Sequence, residues 1–306
     1  MKEEIEKSLE VLKTAAKISK DFYEKPLILA YSGGKDSDVM LDLAIKAEVE
    51  FEVLYSTTTV DAPQTMRHIS EVFKRLEAMG IKTERTRPTY KGKPVTMFSL
   101  IEKKGTPPTR IIRYCCSVFK EASTPHRVTA VGVRAAESRK RQGRSDFSSG
   151  RGKTAKHFSL DHVQEVFQDA EDQDPVWDCT IVTNARKKKE LLVQPIYGWT
   201  DADVWMYIKE NEILYNPLYD MGYSRVGCIL CPMARKSEKQ RDEVNFPTMK
   251  QNYIKAFDRM LDARKAKGKD DSTGKWTDGE AVYNWWTEKK DILGQVKMEL
   301  EEDVNT

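Results

Sequence analysis

The sequence predicts an α/β protein, a doubly wound, mostly parallel sheet with a helical C-terminal region. Three observations predict it. Short apolar runs alternate with stretches of helical periodicity over the first half of the chain, the pattern of βαβ units whose parallel strands are covered on both faces. A glycine-rich turn stands between the first apolar run and the helix that follows it, at the carboxyl end of a strand, where open α/β sheets bind ligands. Beyond Cys231 the strand-like runs stop and helical patterns take over.

Taken in order, residues 3–24 place Ile5, Leu9, Leu12, Ala16, Ile18 and Phe22 at helical spacing. Residues 26–31 form the first strand and lead into the turn Ser32-Gly33-Gly34-Lys35-Asp36-Ser37. A helix over about 38–47, a second strand over 51–55, a loop over 57–63 and a helix over 64–79 follow, and residues 81–87 and 129–133 supply two more strands. The stretch 138–157, rich in Gly, Ser, Arg and Lys, reads as a mobile lid or flexible insertion. Thr200 caps a short helix whose Val204, Trp205 and Ile208 face inward. Helices over 238–266 and 279–300 flank a polar break over 267–274. There is no internal repeat. The expected division is an N-terminal helix over 1–25, a sheet domain over 26–198 and a C-terminal region over 199–306.

The 306 residues are 39% hydrophobic and 32% charged, with a formal net charge of +3, the balance of a soluble protein. No stretch approaches the roughly 18 apolar residues of a membrane span, and the first residues lack a signal-peptide core, so a cytoplasmic location without membrane partners is expected. Charge is uneven: Arg139 to Lys156 holds seven Lys or Arg against one Asp, and Asp161 to Asp178 holds seven acids and no Lys or Arg. Such blocks read as solvated loops, the basic one also as a binding surface.

Two glycines in the 32–37 turn let backbone approach an anion, successive N–H groups form a cationic nest, and the following helix adds its positive end. Ser32 and Ser37 add hydroxyls and Lys35 adds charge. The spacing is neither G-x-x-x-x-G-K-[ST] nor G-x-G-x-x-G, which disfavours an ordinary P-loop NTPase and a dinucleotide fold. The turn resembles the pyrophosphate loop (PP-loop) of the adenine-nucleotide alpha-hydrolase superfamily. That resemblance implies ATP or an adenylyl sulfate as ligand, and for ATP a cleavage between the alpha and beta phosphates.

Five cysteines in a chain of this character argue for metal or catalysis before disulfides. Cys115 and Cys116 are adjacent, Cys228 and Cys231 form C-x-x-C, and Cys179 stands alone. The two pairs meet the four-thiolate demand of a cubane iron–sulfur cluster or of a tetrahedral zinc, and unligated thiols are the third reading. Zinc sites usually draw on C-x₂₋₄-C knuckles, whereas an adjacent pair with a distant C-x-x-C resembles the cluster-binding arrangement of assimilatory adenylyl-sulfate reductases. Cys179 reads as a small buried hydrophobe. His68, His126, His157 and His162 show no metal spacing.

Longer stretches extend the resemblance. Thr109-Arg-Ile-Ile-Arg-Tyr-Cys-Cys-Ser-Val-Phe-Lys120, Val131-Gly-Val-Arg134-Ala-Ala-Glu137-Ser138-Arg139-Lys-Arg141, Pro195-Ile-Tyr-Gly-Trp-Thr-Asp-Ala-Asp-Val-Trp205 and Asn216-Pro-Leu-Tyr-Asp-Met-Gly-Tyr-Ser-Arg-Val-Gly-Cys228-Ile-Leu-Cys231-Pro are similar to motifs of the phosphoadenosine phosphosulfate reductase family. The likeness runs over residues 26–235 in the family's order. Thr57-Thr-Thr-Val-Asp-Ala-Pro-Gln-Thr65 and the Trp285-Trp286 tail resemble the branch that includes the DNA phosphorothioation sulfurtransferases. One departure stands out: the reductases carry a nucleophilic cysteine in a Glu-Cys-Gly-Leu-His setting, and no cysteine follows Cys231 in this chain. A shared fold and nucleotide site with a different reaction is therefore expected.

The resemblance implies roles residue by residue. Ser32, Gly33, Gly34, Lys35, Asp36 and Ser37 hold the beta and gamma phosphates of ATP, with Asp36 placed for Mg²⁺ or for supporting the loop. Thr57, Thr58 and Thr59 line the adenine pocket. Arg134 and Arg141 steady the alpha phosphate, each having a surface ion pair as its other reading. Cys115, Cys116, Cys228 and Cys231 hold a 4Fe–4S cluster. Lys120 and the basic run attract a polyanionic acceptor, and with Lys35, Asp36 and Arg134 Lys120 makes up the expected catalytic set. Asp61 reads as the cap of the helix opening at Pro63. The implied activity is an ATP-pyrophosphatase-type sulfurtransferase that adenylylates an acceptor, a DNA backbone phosphate, with sulfur from a donor such as a cysteine desulfurase. Two alternatives stay open: a sulfonucleotide reductase using Cys179 or a partner's thiol, and a non-catalytic nucleotide- or DNA-binding subunit of a modification complex.

Overall fold

The structure, a computed structural model, describes residues 1–121, 126–137, 141–150, 154–172, 180–269 and 276–287. Helix α1 (Lys2–Tyr23) buries Val11, Leu12, Ala15 and Ile18, one stripe at helical spacing. Strand β1 (Leu27–Tyr31) leads into α2 (Lys35–Lys46), which begins earlier than the sequence predicts because Gly34 is its cap. Strand β2 (Phe51–Tyr55), helix α3 (Pro63–Ala78) and strand β3 (Thr83–Arg85) follow, with proline at the first position of α3, where its missing N–H costs nothing. After the short hairpin of β4 (Thr89–Tyr90) and β5 (Lys93–Pro94) come α4 (Met97–Lys104), α5 (Tyr114–Phe119) and strand β6 (Val128–Val131). Strands β7 (Phe147–Ser148) and β8 (His157–Phe158), helices α6 (Leu160–Asp172) and α7 (Thr180–Arg186) and strand β9 (Leu191–Val193) complete the sheet region. The remaining helices are α8 (Asp201–Glu210), α9 (Lys236–Asn245), α10 (Pro247–Lys265) and α11 (Gly279–Thr287).

Among the described residues the strands form a seven-stranded sheet in the order β3-β2-β1-β6-β9-β7-β8. From β3 to β9 every pairing is parallel, and β7 and β8 close one edge antiparallel. The fold is the α/β, mostly parallel, doubly wound sheet that the alternation of elements predicts. Its inner strands read as continuous apolar runs because helices cover both faces: Leu27, Leu29, Tyr31, Val53, Tyr55, Val128, Ala130, Leu191 and Val193 all belong to the core.

By contacts the chain divides into two units. The first comprises Met1–Ser56, Pro63–Thr86 and Ser123–Val226 and contains the whole sheet; the second comprises Thr57–Ala62, Arg87–Ala122 and Gly227–Thr306. In the second unit α10 packs on α4 and α11, with the Trp286 ring centroid 4.9 Å from that of Tyr253 and 5.5 Å from that of Phe257.

Several expectations change. The single helix expected over 238–266 is two, because Pro247 starts α10 and Phe246 before it leaves the helical region, at φ −133° and ψ 57°. Within the stretch expected as a lid, β7 pairs with β9 and Phe147 is buried, while residues 138–140 and 151–153 lie outside the described residues. The acidic block expected as a solvated loop begins as helix α6, whose Val163 and Phe167 turn inward one turn apart while Asp161 and Glu165 stay exposed. Residues 173–179, with Cys179, and residues 288–306 lie outside the described residues. No described helix is long and apolar enough to cross a membrane.

Candidate functional site

The turn after β1 is built as an anion cradle. Gly33 holds φ +70°, and a Cβ there would stand 2.9 Å from Ile69 Cγ1. Gly132, after β6, faces the same turn: a Cβ there would stand 3.1 Å from the Asp36 carbonyl and 3.2 Å from Ser37 N. Ser37 Oγ accepts N–H bonds from Ser32 (3.3 Å) and Gly34 (3.2 Å) and donates to Gly34 O (2.7 Å). Lys35 N–H donates to Tyr219 Oη at 3.0 Å. Buried Asn216 donates to Gly33 O (2.9 Å) and Thr65 Oγ1 (3.0 Å), fixing the turn against α3. The cradle stands at the start of α2, whose positive end favours anions. Gly33 and Gly132 leave no room for a side chain against this turn.

Charge around the cradle is paired. Lys35 and Arg134 are 4% and 3% exposed. Arg134 Nε donates to Asp36 Oδ1 at 2.6 Å, Nη2 to Asp201 Oδ1 at 2.9 Å and Nη1 to Trp199 O at 3.4 Å. Lys35 Nζ is 2.9 Å from Asp201 Oδ1 and 3.6 Å from Asp36 Oδ2. Arg141 pairs with Glu137, whose carboxylate also accepts the Arg134 N–H at 3.0 Å. Beneath the cradle, Asp38 Oδ1 accepts Tyr31 Oη at 2.5 Å and His68 Nε2 at 2.9 Å; all three are buried, and burial pushes the Asp38 carboxyl above its ordinary range.

The cysteines meet within the second unit. Helix α5 carries Cys115 and Cys116, and Arg113 at its start donates to Cys116 Sγ at 3.3 Å. Cys228 forms a β-bridge with Asp61, and Ile229 N–H donates to Val60 O at 2.9 Å. Cys231 N–H turns back on Cys228 O at 3.3 Å, with Leu230 between them at φ +57° and its N–H on Asp242 Oδ2 at 2.8 Å. Arg110 Nε donates to Pro232 O at 3.0 Å, tying the two cysteine segments together. All four thiols are free and half-buried. The Cys115 thiol donates to Cys116, burial adds to this, and the charges of Cys116, Cys228 and Cys231 push the Cys115 pKa further up. Cys116 is pulled down by the Cys115 hydrogen bond, Arg113 and Lys120. Exposed at the surface, Lys120 feels Cys228 first, then Cys116 and Cys231, and its ammonium is held charged.

Among the described residues no three His, Cys, Asp or Glu side chains are grouped for a single metal ion. A cubane makes a different demand, one thiolate to each of four irons; the four free thiols lie on two segments joined by the Arg110–Pro232 hydrogen bond, with Arg113 beside Cys116.

The sequence-predicted residues sort accordingly. Ser32 to Ser37 and Arg134 come together in the first unit, with Arg141 joined to Arg134 through Glu137. Cys115, Cys116, Cys228, Cys231 and Lys120 come together in the second. Thr57, Thr58 and Thr59 belong to the second unit, where Thr58 donates from N and Oγ1 to Asp61 (2.9 and 2.7 Å) and Thr59 Oγ1 accepts the Met97 N–H at 2.8 Å. Asp61, expected to cap α3, thus spends both carboxylate oxygens on Thr58. Sequence reasoning gave no role to Asp201, Asn216, Tyr219 or His68. Asn216 and Tyr219 share one Asn-Pro-Leu-Tyr stretch that could have signalled them, whereas Asp201 looks like one more acid at a helix start.

Residues 26–234 match the family model described as Phosphoadenosine phosphosulfate reductase domain. Two uncharacterized proteins of Methanocaldococcus jannaschii are 26% identical over 243 and 269 residues; the chain spans about half their length, 42% and 54%. Adenosine 5'-phosphosulfate reductase 1 of Bacillus subtilis is 27% identical over 216 residues, 68% of this chain and 74% of the relative. A phosphoadenylyl-sulfate reductase of Candida auris superposes with TM-score 0.41 at 18% identity, over 72% of this chain and 87% of the other. The U34-tRNA thiolase NcsA of Methanococcus maripaludis, with its [4Fe-4S] cluster, superposes with TM-score 0.36 at 14% identity, over 86% and 80%. With more than half its length matched in one continuous block, this chain belongs to the phosphoadenosine phosphosulfate reductase domain family.

Proposed function

We propose that the protein is an ATP-pyrophosphatase-type, iron–sulfur-dependent sulfurtransferase that adenylylates a DNA backbone phosphate and exchanges the activated oxygen for sulfur. The observation that carries this reading is the convergence of four free thiols from two distant segments in a chain that also holds a glycine-lined anion cradle.

The cradle from Ser32 to Ser37 binds the beta and gamma phosphates, Lys35 offsets their charge, and Asp36 supports the loop or holds Mg²⁺. An acceptor oxygen attacks the alpha phosphorus, the bond to the beta-phosphate oxygen breaks and pyrophosphate leaves; Arg134 and Arg141 steady the charge that builds there. The outer sulfur of a persulfide on a donor such as a cysteine desulfurase then attacks the activated phosphorus, the phosphorus–sulfur bond forms as AMP leaves, and a thiol reductant supplies the two electrons that cleave the remaining sulfur–sulfur bond, freeing the donor thiol. Cys115, Cys116, Cys228 and Cys231 would hold the 4Fe–4S cluster, which supplies a site to carry or position sulfur. Lys120 and the basic segment 139–156 draw the polyanion in.

The test is anaerobic protein with ATP, labelled cysteine, a desulfurase, a thiol reductant and DNA or RNA, read as pyrophosphate released and sulfur incorporated. Lys35→Ala is expected to abolish both, and Cys228→Ser to abolish incorporation; intact incorporation in either variant overturns the reading. The relatives named adenosine 5'-phosphosulfate reductase favour a second reading, reduction of an adenylyl sulfate. Thioredoxin-dependent sulfite release would establish it instead. Nucleotide binding without pyrophosphate release under any of these conditions would indicate a binding subunit.

A further inference from the structure

We propose that Asp201 is a displaceable counter-ion that determines which anions the cradle admits: it occupies Lys35 until a polyphosphate takes its place, and it keeps out singly bridging anions such as inorganic phosphate. This rests on the reading of the Ser32 to Ser37 turn as a phosphate site.

One carboxylate oxygen of Asp201 receives both cations of the site, Lys35 Nζ and Arg134 Nη2, each at 2.9 Å. The two cations are almost fully buried, while the Asp201 side chain is 64% exposed. The asymmetry decides which partner can leave. Lys35 is confined between rings, its Nζ 6.0 Å from the Trp205 centroid and 5.6 Å from that of Tyr219. Arg134 stays anchored on Asp36 and on Trp199 O without Asp201. Asp201 stands at the first position of α8, where a reciprocal Thr200–Asp203 capping box fixes the backbone, and its side chain can swing into water.

Charge gives the consequence. Lys35 and Arg134 against Asp36 and Asp201 sum to zero, so the side chains of the closed quartet offer an incoming anion no net attraction. Once Asp201 swings away, Lys35 keeps, of its ion pairs among the described residues, Asp36 at 3.6 Å, and the side-chain quartet gains a full positive charge. A ligand must therefore replace a charge-assisted contact with something stronger. A di- or triphosphate, bringing several charges to Lys35 and to the positive start of α2 together, does so; a monophosphate recovers less than it displaces. The Asp201 carboxyl agrees with this arrangement: burial alone would raise it, yet Lys35 and Arg134 hold it below the usual carboxylate range.

The test is calorimetric titration of the full chain with pyrophosphate and with inorganic phosphate, without Mg²⁺, for the native protein, Asp201→Asn, Asp201→Ser and Lys35→Ala. Asp201→Asn is expected to bind pyrophosphate about tenfold more tightly and to gain measurable phosphate binding, narrowing the ratio between the two. Asp201→Ser, which keeps a residue suited to a helix start, should show the same gain. Unchanged or weaker binding of both anions by both Asp201 variants, with pyrophosphate binding lost in Lys35→Ala, overturns the counter-ion role alone. Absence of pyrophosphate binding in every form overturns the phosphate-site reading and the counter-ion role with it.

Discussion

Gly132 lies far along the chain from the phosphate turn, yet a single added methyl there would press on the Asp36 carbonyl and Ser37 N. Both contacts are backbone and cannot rotate aside. Gly132→Ala is therefore expected to weaken ATP binding at least tenfold and to cost about 1–3 kcal/mol of stability, the usual range for overpacking, measured by titration and by urea unfolding. Asp38 makes a different kind of prediction. Burial holds its proton to higher pH in the folded state, whereas the unfolded chain releases it near ~3.9. As pH rises through that value the unfolded state ionises first, so Asp38 subtracts from stability, increasingly until its own raised pKa is passed. Asp38→Asn cannot ionise; its stability relative to the native protein should climb over that window, on top of a pH-independent offset. A difference that stays flat as pH rises above about 4 in urea melts would contradict this. Gly33 and Lys35 were legible in the sequence because a nest is a local pattern of consecutive residues. Asp38, His68 and Tyr31 were not, since their chemistry exists only where β1, α2 and α3 bring them together.

Helix α8 was legible down to its cap: Thr200 Oγ1 accepts the Asp203 N–H, and Val204 and Ile208 are buried, although Trp205 stays half-buried. Thr200→Ala is expected to cost about 1 kcal/mol. The effect should also reach anion binding, because the cap fixes the backbone of Asp201; a melting shift with unaltered pyrophosphate affinity would contradict that link. In the second unit Trp286 is buried, and its Nε1 donates to Pro108 O at 2.6 Å. Trp286→Ala should cost about 3–5 kcal/mol, whereas Trp286→Phe keeps part of the packing and leaves the Pro108 carbonyl without this donor. Equal losses in the two variants, measured by denaturant midpoint, would show that the hydrogen bond and not the ring governs this corner. The boundary between α9 and α10 was written in Pro247 and outweighed by the continuous helical composition around it. The small strands β7 and β8 were hidden for another reason: two residues each carry no periodicity, and only pairing on β9 defines them.

At the scale of the whole molecule, the chain enters the second unit three times, contributing residues 57–62, 87–122 and 227–306. The sequence suggested boundaries after residues 25 and 198, where pattern and composition change, and neither reports which segments pack together. What did survive this long range was the cysteine pattern, since an adjacent pair and a C-x-x-C each occupy one turn and need only those turns to meet. They do meet, tied by Arg110 to Pro232 and sharing one electrostatic environment. The most direct test of the account is metal and sulfide analysis of the anaerobically isolated full chain, with electron paramagnetic resonance after reduction. The account predicts about four iron and four sulfide per chain, a reduced-cluster signal, and loss of both in Cys115→Ser and Cys228→Ser. Stoichiometric zinc without sulfide, or iron retained undiminished when either cysteine is replaced, would contradict it.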